Sequence, residues 1–150
     1  MSIWLKRAAM AAVAVTLVGA IGVGASMAQN DPIKQRQTLM KANGASMKAI
    51  KAVVDAKGPA AGIAPEAAKI ARDVKAAAAH FPAGSDKGDT KASPDIWKNL
   101  DDFKKLDEAA AAAASKLEAS AKKGDITVAA ADFGELGKSC GACHQKYRLK

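Results

Sequence analysis

Aromatic residues make up only 4% of this 150-residue chain, which also has just two cysteines and two histidines. One bridge at most cannot serve as a disulfide framework, so a small disulfide-stapled fold is excluded. No segment alternates apolar and polar residues with a sustained period of two, which argues against a sheet. Nor is there a long block of one charge. Lys and Arg total 23 against 15 Asp and Glu, a formal +8, but the lysines are spread along the chain. Spread cations mark solvated helix faces rather than a nucleic-acid tail. What is present is apolar character, 49% of residues, which argues against a wholly disordered chain. The length suits one domain of ordinary size.

The first thirty residues differ from the rest. Lys6 and Arg7 precede an uncharged run from Ala8 to Ala25, and Ser26-Met27-Ala28 places small residues before Gln29. A basic start, an apolar stretch and a small-x-small exit describe a cleaved secretory signal over residues 1–28. An uncleaved membrane anchor is the competing reading, since about 18 apolar residues just span a bilayer. Alanine and glycine dominate the run, however, so it is weakly hydrophobic. The remaining residues, 29–150, carry 21 basic and 15 acidic side chains, a net +6. Export to an oxidising compartment argues against a nucleic-acid partner, and cleavage leaves no stable membrane anchor.

The exported part is punctuated as helices. Asp31-Pro32 offers an N-cap followed by proline at the first helical position, and Lys57-Gly58-Pro59 offers a stop. Between them Ile33, Met40, Met47 and Val54 recur every seven residues, with Ile50 on the adjoining row. A second helix starts near Pro65-Glu66, carries Ile70 and Val74, and ends around His80-Phe81-Pro82. Residues 83–92 hold Gly84, Ser85, Gly88 and Thr90 and read as a surface loop. A third helix opens at Ser93-Pro94-Asp95, runs through Trp97, Leu100, Phe103 and Leu106, and stops at Lys122-Lys123-Gly124. Asp125 caps a fourth, striped by Ile126, Ala130, Phe133, Leu136 or Gly137, Cys140 and Cys143 or His144. Four helices with mostly short connections predict an all-α antiparallel four-helix bundle.

Such a bundle has a packing problem. Beyond residue 28 there are 29 alanines but only 23 larger apolar residues, and interiors must reach close-packed density. Either the helices approach unusually closely, or something large and apolar occupies part of the bundle.

The fourth helix supplies a reason for the second answer. Cys140-Gly141-Ala142-Cys143-His144 contains both cysteines, in the attachment pattern of c-type haem. Positions i, i+3 and i+4 share one helix face. Cys140 and Cys143 can therefore form two thioethers to one edge of a porphyrin, and His144 can ligate the iron beneath it. A thioredoxin-like dithiol would sit at a helix start after a strand. Structural zinc needs four ligands, and only His80 lies outside the cluster. A Cys140–Cys143 disulfide would close a trivially short loop.

The opposite face of the iron needs a candidate too. His80 abuts Phe81-Pro82 at a helix end and reads as a surface or capping residue. Met40 and Met47 lie about 10 Å apart along the first helix, so only one can reach the metal. With the first and fourth helices antiparallel, the level of His144 matches Met40. Arg36, Asn43 and Gly44 interrupt the apolar stripe around Met40, which suits a flat ring with a charged edge. Core filling is the competing role, since methionine at heptad spacing commonly packs.

With Arg36-Gln37 and Met40 on the first helix, Pro94 to Trp97 opening the third, and Cys140 to His144 before Tyr147-Arg148, the chain resembles the class II cytochromes c, the cytochrome c′ family. The resemblance spans essentially all of residues 29–150 and implies a periplasmic four-helix haem protein. Met40 stands where the family's branches differ, and resembles the low-spin, six-coordinate branch. High-spin members usually have leucine or another non-ligating residue there, and bind nitric oxide or carbon monoxide. The resemblance also places Arg36 and Arg148 near the haem edge, where a guanidinium pairs with a propionate. It implies an electron carrier rather than an enzyme, working with redox protein partners. It further implies a homodimer through the first two helices, for which an alanine-rich face from Ala67 to Ala79 offers close packing. The acids Asp101-Asp102 and Asp107-Glu108, beside Lys104 and Lys105, read as solvated ion pairs.

Overall fold

Asp31 closes the start of the first helix, its carboxylate accepting from the backbone N–H groups of Ile33 at 2.9 Å and Lys34 at 3.3 Å. The computed structural model describes residues 31–150; the leader expected over 1–28 lies outside the described residues. Helix α1 spans Pro32–Asp55. Its end differs in detail from the expected glycine stop. Lys57, not Gly58, takes the left-handed conformation (φ +49°). The Lys57 N–H donates to Val54 O at 3.0 Å and the Gly58 N–H to Val53 O at 2.9 Å. This double bond pattern satisfies the last carbonyls and releases the chain.

A 3₁₀ turn over Ala60–Ile63 leads into α2, Ala64–Ala77, which tightens into a second turn at Ala78–His80. The expected third helix is two helices, α3 at Asp95–Lys98 and α4 at Leu100–Lys122. Asn99 breaks it (φ −134°, ψ 46°), donating from both its backbone and its side-chain amide to Asp95 O. The offset buries Ile96 and lets the Trp97 indole N–H donate to Pro82 O at 2.9 Å. Asp125 then caps α5, Ile126–Tyr147, by accepting from the N–H groups of Thr127 and Val128.

Helices α1, α2, α4 and α5 form the four-helix bundle. Helix α2 packs along α4, α4 along α5 and α1 along α2, whereas α1 and α5 meet only sparsely. Alanine settles the first of these contacts. Ala67 and Ala71 of α2 join Ala110, Ala111 and Ala114 of α4 in one core with Ile50, Ile63, Ile70, Leu117 and Leu136. Small side chains permit short interaxial distances. Of the Ala67–Ala79 stretch expected to face a second subunit, Ala67, Ala71 and Ala77 are buried inside the chain, while Ala76 and Ala79 stay exposed.

The stripe expected on α1 is also rotated. Met40 is 37% exposed, while Arg36, Asn43, Ser46 and Ile50 are the buried residues. Of the three polar ones, Arg36 faces an aromatic ring and a loop, standing over Phe81 and bonding Ser85 and Thr90. Asn43 and Ser46 instead have buried side-chain atoms without a hydrogen-bond partner among the described residues. Phe103 sits edge-on to Phe81 (4.7 Å between centroids) and to Tyr147 (5.5 Å). The segment joining α2 to α3 is pinned to the C-terminus, with the Ser93 N–H donating to Tyr147 O and the Leu149 N–H to Lys91 O. The lone antiparallel bridge there, Ala92 with Arg148, is the only β pairing among the described residues.

Candidate haem site

Where α1 and α5 diverge, a cavity of about 620 Å³ opens between them. Met40 lines it from α1, Cys143 and His144 from α5, and Phe81, Ile96 and Phe103 supply apolar wall. Arg36, Lys41, Lys91 and Arg148 also border it, so cations gather about an otherwise apolar space. Among the described residues, Asp107 of α4 is the one carboxylate on its lining. Both halves of the packing question are thus answered, by an alanine seam between α2 and α4 and by a cavity between α1 and α5.

The cavity gathers Met40, Cys143, His144, Arg36 and Arg148, all singled out from the sequence. Cys140 lies one turn before Cys143 and packs against the main core rather than on the cavity lining. Both cysteines are free thiols of intermediate burial. Burial raises the Cys140 thiol pKa, and raises that of Cys143 to about 11 with added repulsion from Asp107. Burial, reinforced by Arg148, lowers the His144 pKa below that of an ordinary imidazole, which favours the neutral ring a metal requires. Met47 packs against the main core and His80 sits in the 3₁₀ turn after α2; neither lines the cavity.

Arg36 has a second occupation that the sequence did not reveal. One terminal nitrogen donates to His80 O and Ser85 Oγ, both at 3.0 Å. The other donates to Ser85 O and Thr90 Oγ1, both at 2.7 Å. Its guanidinium also stands 4.8 Å over the Phe81 ring. Both terminal nitrogens are therefore engaged by the turn after α2 and by the loop, which leaves Nε as the donor without a hydrogen bond among the described residues. The surface loop expected over 83–92 is in this way anchored, and Ser85 is buried.

The acids need correction as well. Asp102 is paired across helices, accepting from Lys146 Nζ at 2.8 Å and from the Tyr147 hydroxyl at 2.5 Å. Asp107 has no ion pair among the described residues, although Lys104 and Lys105 are near it in sequence. Its helical position turns it toward the cavity while theirs face water. Helical spacing from Phe103, four residues earlier, is the signal that could have located it.

The family of this arrangement is decided by similarity. The Cytochrome C′ family model matches residues 31–148. The chain belongs to the cytochrome c′ family. Cytochrome c-556 of Agrobacterium tumefaciens is 41% identical over 120 residues, covering 79% of this chain and 97% of that protein. A solved cytochrome c′ with ligand-controlled dimer dissociation superposes with a TM-score of 0.75 at 31% identity, covering 79% of this chain and 95% of the other. The nitric oxide complex of a variant cytochrome c prime from Alcaligenes xylosoxidans superposes at 0.72, with 31% identity and coverage of 79% and 94%.

Cytochrome c′ proteins carry covalently attached haem c, and the residues here fit that group. Two free thiols lie one turn apart, an imidazole kept neutral by burial follows them, and the cavity beside them is walled by aromatic and aliphatic side chains and bordered by cations.

Proposed function

We propose that this protein is an exported one-electron carrier. Cys140 and Cys143 would tether haem c, and His144 and Met40 would supply ligands to its iron. The observation that carries this reading is that Met40 and His144 line the same cavity from α1 and α5, while Met47 is packed in the core.

When bound, the haem supplies a one-electron couple. The chain does the rest. Two sulfurs one turn apart hold the group in register with His144. Phe81, Ile96 and Phe103 exclude water, which keeps reorganisation on electron transfer small. A thioether opposite an imidazole raises the potential relative to more electron-donating ligands. Arg148 borders the cavity and is placed to pair with a propionate, as Arg36 is through its remaining nitrogen. No substrate is transformed, and the partners are redox proteins. Among the described residues no helix is long and apolar enough to cross a membrane, which is consistent with a periplasmic product of signal cleavage. The ligand-controlled dimer of a solved relative supports a homodimer here as well.

A second reading has its own support. The solved nitric oxide complex of the Alcaligenes protein, and the family name itself, weigh toward a five-coordinate iron that binds nitric oxide or carbon monoxide. The two readings differ at Met40. A low-spin ferrous spectrum unchanged by carbon monoxide, converted by Met40→Leu to a gas-binding one, supports the carrier. A wild-type iron that takes up carbon monoxide as readily as the Met40→Leu variant overturns Met40 ligation and leaves the gas-binding protein.

A further inference from the structure

Among the described residues, Asp107 is the only carboxylate on the cavity lining. It is half-buried, and among the described residues it has neither a hydrogen bond nor an ion pair. Its neighbours on the lining include Phe103 on its own helix and Cys143 and Tyr147 on α5. A half-buried carboxylate in such walls lacks the partners that normally stabilise its charge.

The charged and titratable groups bordering the cavity do not change this. Arg36 and Lys41 lie on α1, Lys91 on the loop, and Cys143, His144, Tyr147 and Arg148 on or just after α5. Arg36 is committed to Ser85, Thr90 and His80. On its own helix Glu108 repels it. Burial first, and Glu108 second, raise the Asp107 pKa to about 6, and no cation offsets them. A carboxyl so placed exchanges its proton within the physiological range.

We propose that Asp107 couples a proton to the electron this protein carries, its carboxyl taking up a proton when the haem is reduced and releasing it on oxidation. A one-electron protein donor supplies the electron and bulk water the proton. The cavity then passes from oxidised iron with a carboxylate to reduced iron with a carboxylic acid, and its net charge is unchanged. Charges bordering one partly buried space interact through a lower effective dielectric than bulk water provides, and such a coupling shifts an equilibrium by roughly tenfold. Reduction therefore raises the proton affinity of Asp107 by about that factor.

This inference rests on haem occupying the cavity, and not on the role of Met40. The test is the midpoint potential of the haem-loaded protein, titrated spectroscopically from pH 4.5 to 8.5, for wild type, Asp107→Asn and Asp107→Glu. The wild-type potential should fall as pH rises, by about 59 mV in all for a tenfold affinity change. Asp107→Asn should flatten that fall near the acid-limit value, and Asp107→Glu should restore it. Redox-difference infrared spectra of wild type with ¹³C-labelled aspartate give a second readout, independent of whether the variants fold. A labelled carboxylic-acid carbonyl band appearing on reduction supports the coupling; its absence overturns it. A fall in potential equally large in Asp107→Asn overturns it too, and assigns the proton to a propionate. A purified protein with no pyridine haemochrome signal would instead refute the proposed function itself.

Discussion

The guanidinium of Arg36 holds Ser85 from two sides, donating to its hydroxyl at 3.0 Å and to its carbonyl at 2.7 Å across 49 residues of chain. The same arginine borders the cavity, so loop and site share one fastening. Arg36→Ala leaves buried acceptors unpaired and should cost roughly 3 kcal/mol in denaturant unfolding. Arg36→Lys should recover little of this, because a single ammonium cannot reproduce the planar fork. Full recovery by lysine would show that charge alone anchors the loop.

Met47 offers a control for Met40. It packs against the main core away from the cavity lining. Met47→Leu conserves volume and should cost under about 1.5 kcal/mol. Its haem spectrum and carbon monoxide response should match the wild type. A changed spectrum would place the iron ligand a further two turns along α1.

Asp102 ties α4 to α5 through Lys146 and Tyr147. The Lys146 hydrogen bond first, then that of Tyr147, hold its carboxyl below the ordinary 3.8. A carboxyl depressed on folding contributes stability that is complete above its ordinary value and is lost as pH falls through its lowered one. The melting temperature of Asp102→Asn should therefore trail the wild type near neutrality. The gap should close as the pH drops below about 3.8. A gap independent of pH would mean that shape rather than charge links the helices.

Asp125 accepts from two backbone N–H groups at the start of the helix that carries the attachment motif. Asp125→Ala should cost about 1 kcal/mol in unfolding free energy. The visible spectrum should be unaffected, since the cap lies at the opposite end of α5 from His144.

The alanine seam makes a prediction of the opposite sense. Ala114 is fully buried in the core that α2 and α4 share. Ala114→Val adds bulk where none fits and should cost about 1–3 kcal/mol. An unaffected melting curve would indicate slack between these helices.

Legibility followed the range of the interactions. Helix starts at Asp31 and Asp125 were readable because a cap needs only its own next three residues. The attachment pattern was readable for the same reason, since Cys140, Cys143 and His144 meet within one turn. Helix direction and rise, together with Arg36, Asn43 and Gly44 around Met40, favour Met40 over Met47, and the cavity lining includes Met40. The break at Asn99 was not readable, because it depends on Trp97 reaching Pro82 and on burial of Ile96. Which alanines of Ala67–Ala79 turn inward was not readable either, since alanine fits any close contact and does not name its partner; Ala67 and Ala71 join the core while Ala76 and Ala79 are exposed.

The sequence by itself determined four helices, their caps and a cluster of two thiols and an imidazole, because each follows from neighbours within a turn or two. Only the tertiary structure decided that α1 and α5 part to leave a cavity, that Arg36 serves the loop, and that Asp107 stands unpaired on the wall. Those outcomes depend on which helix faces which, and a helical periodicity marks a buried face without saying what lies against it.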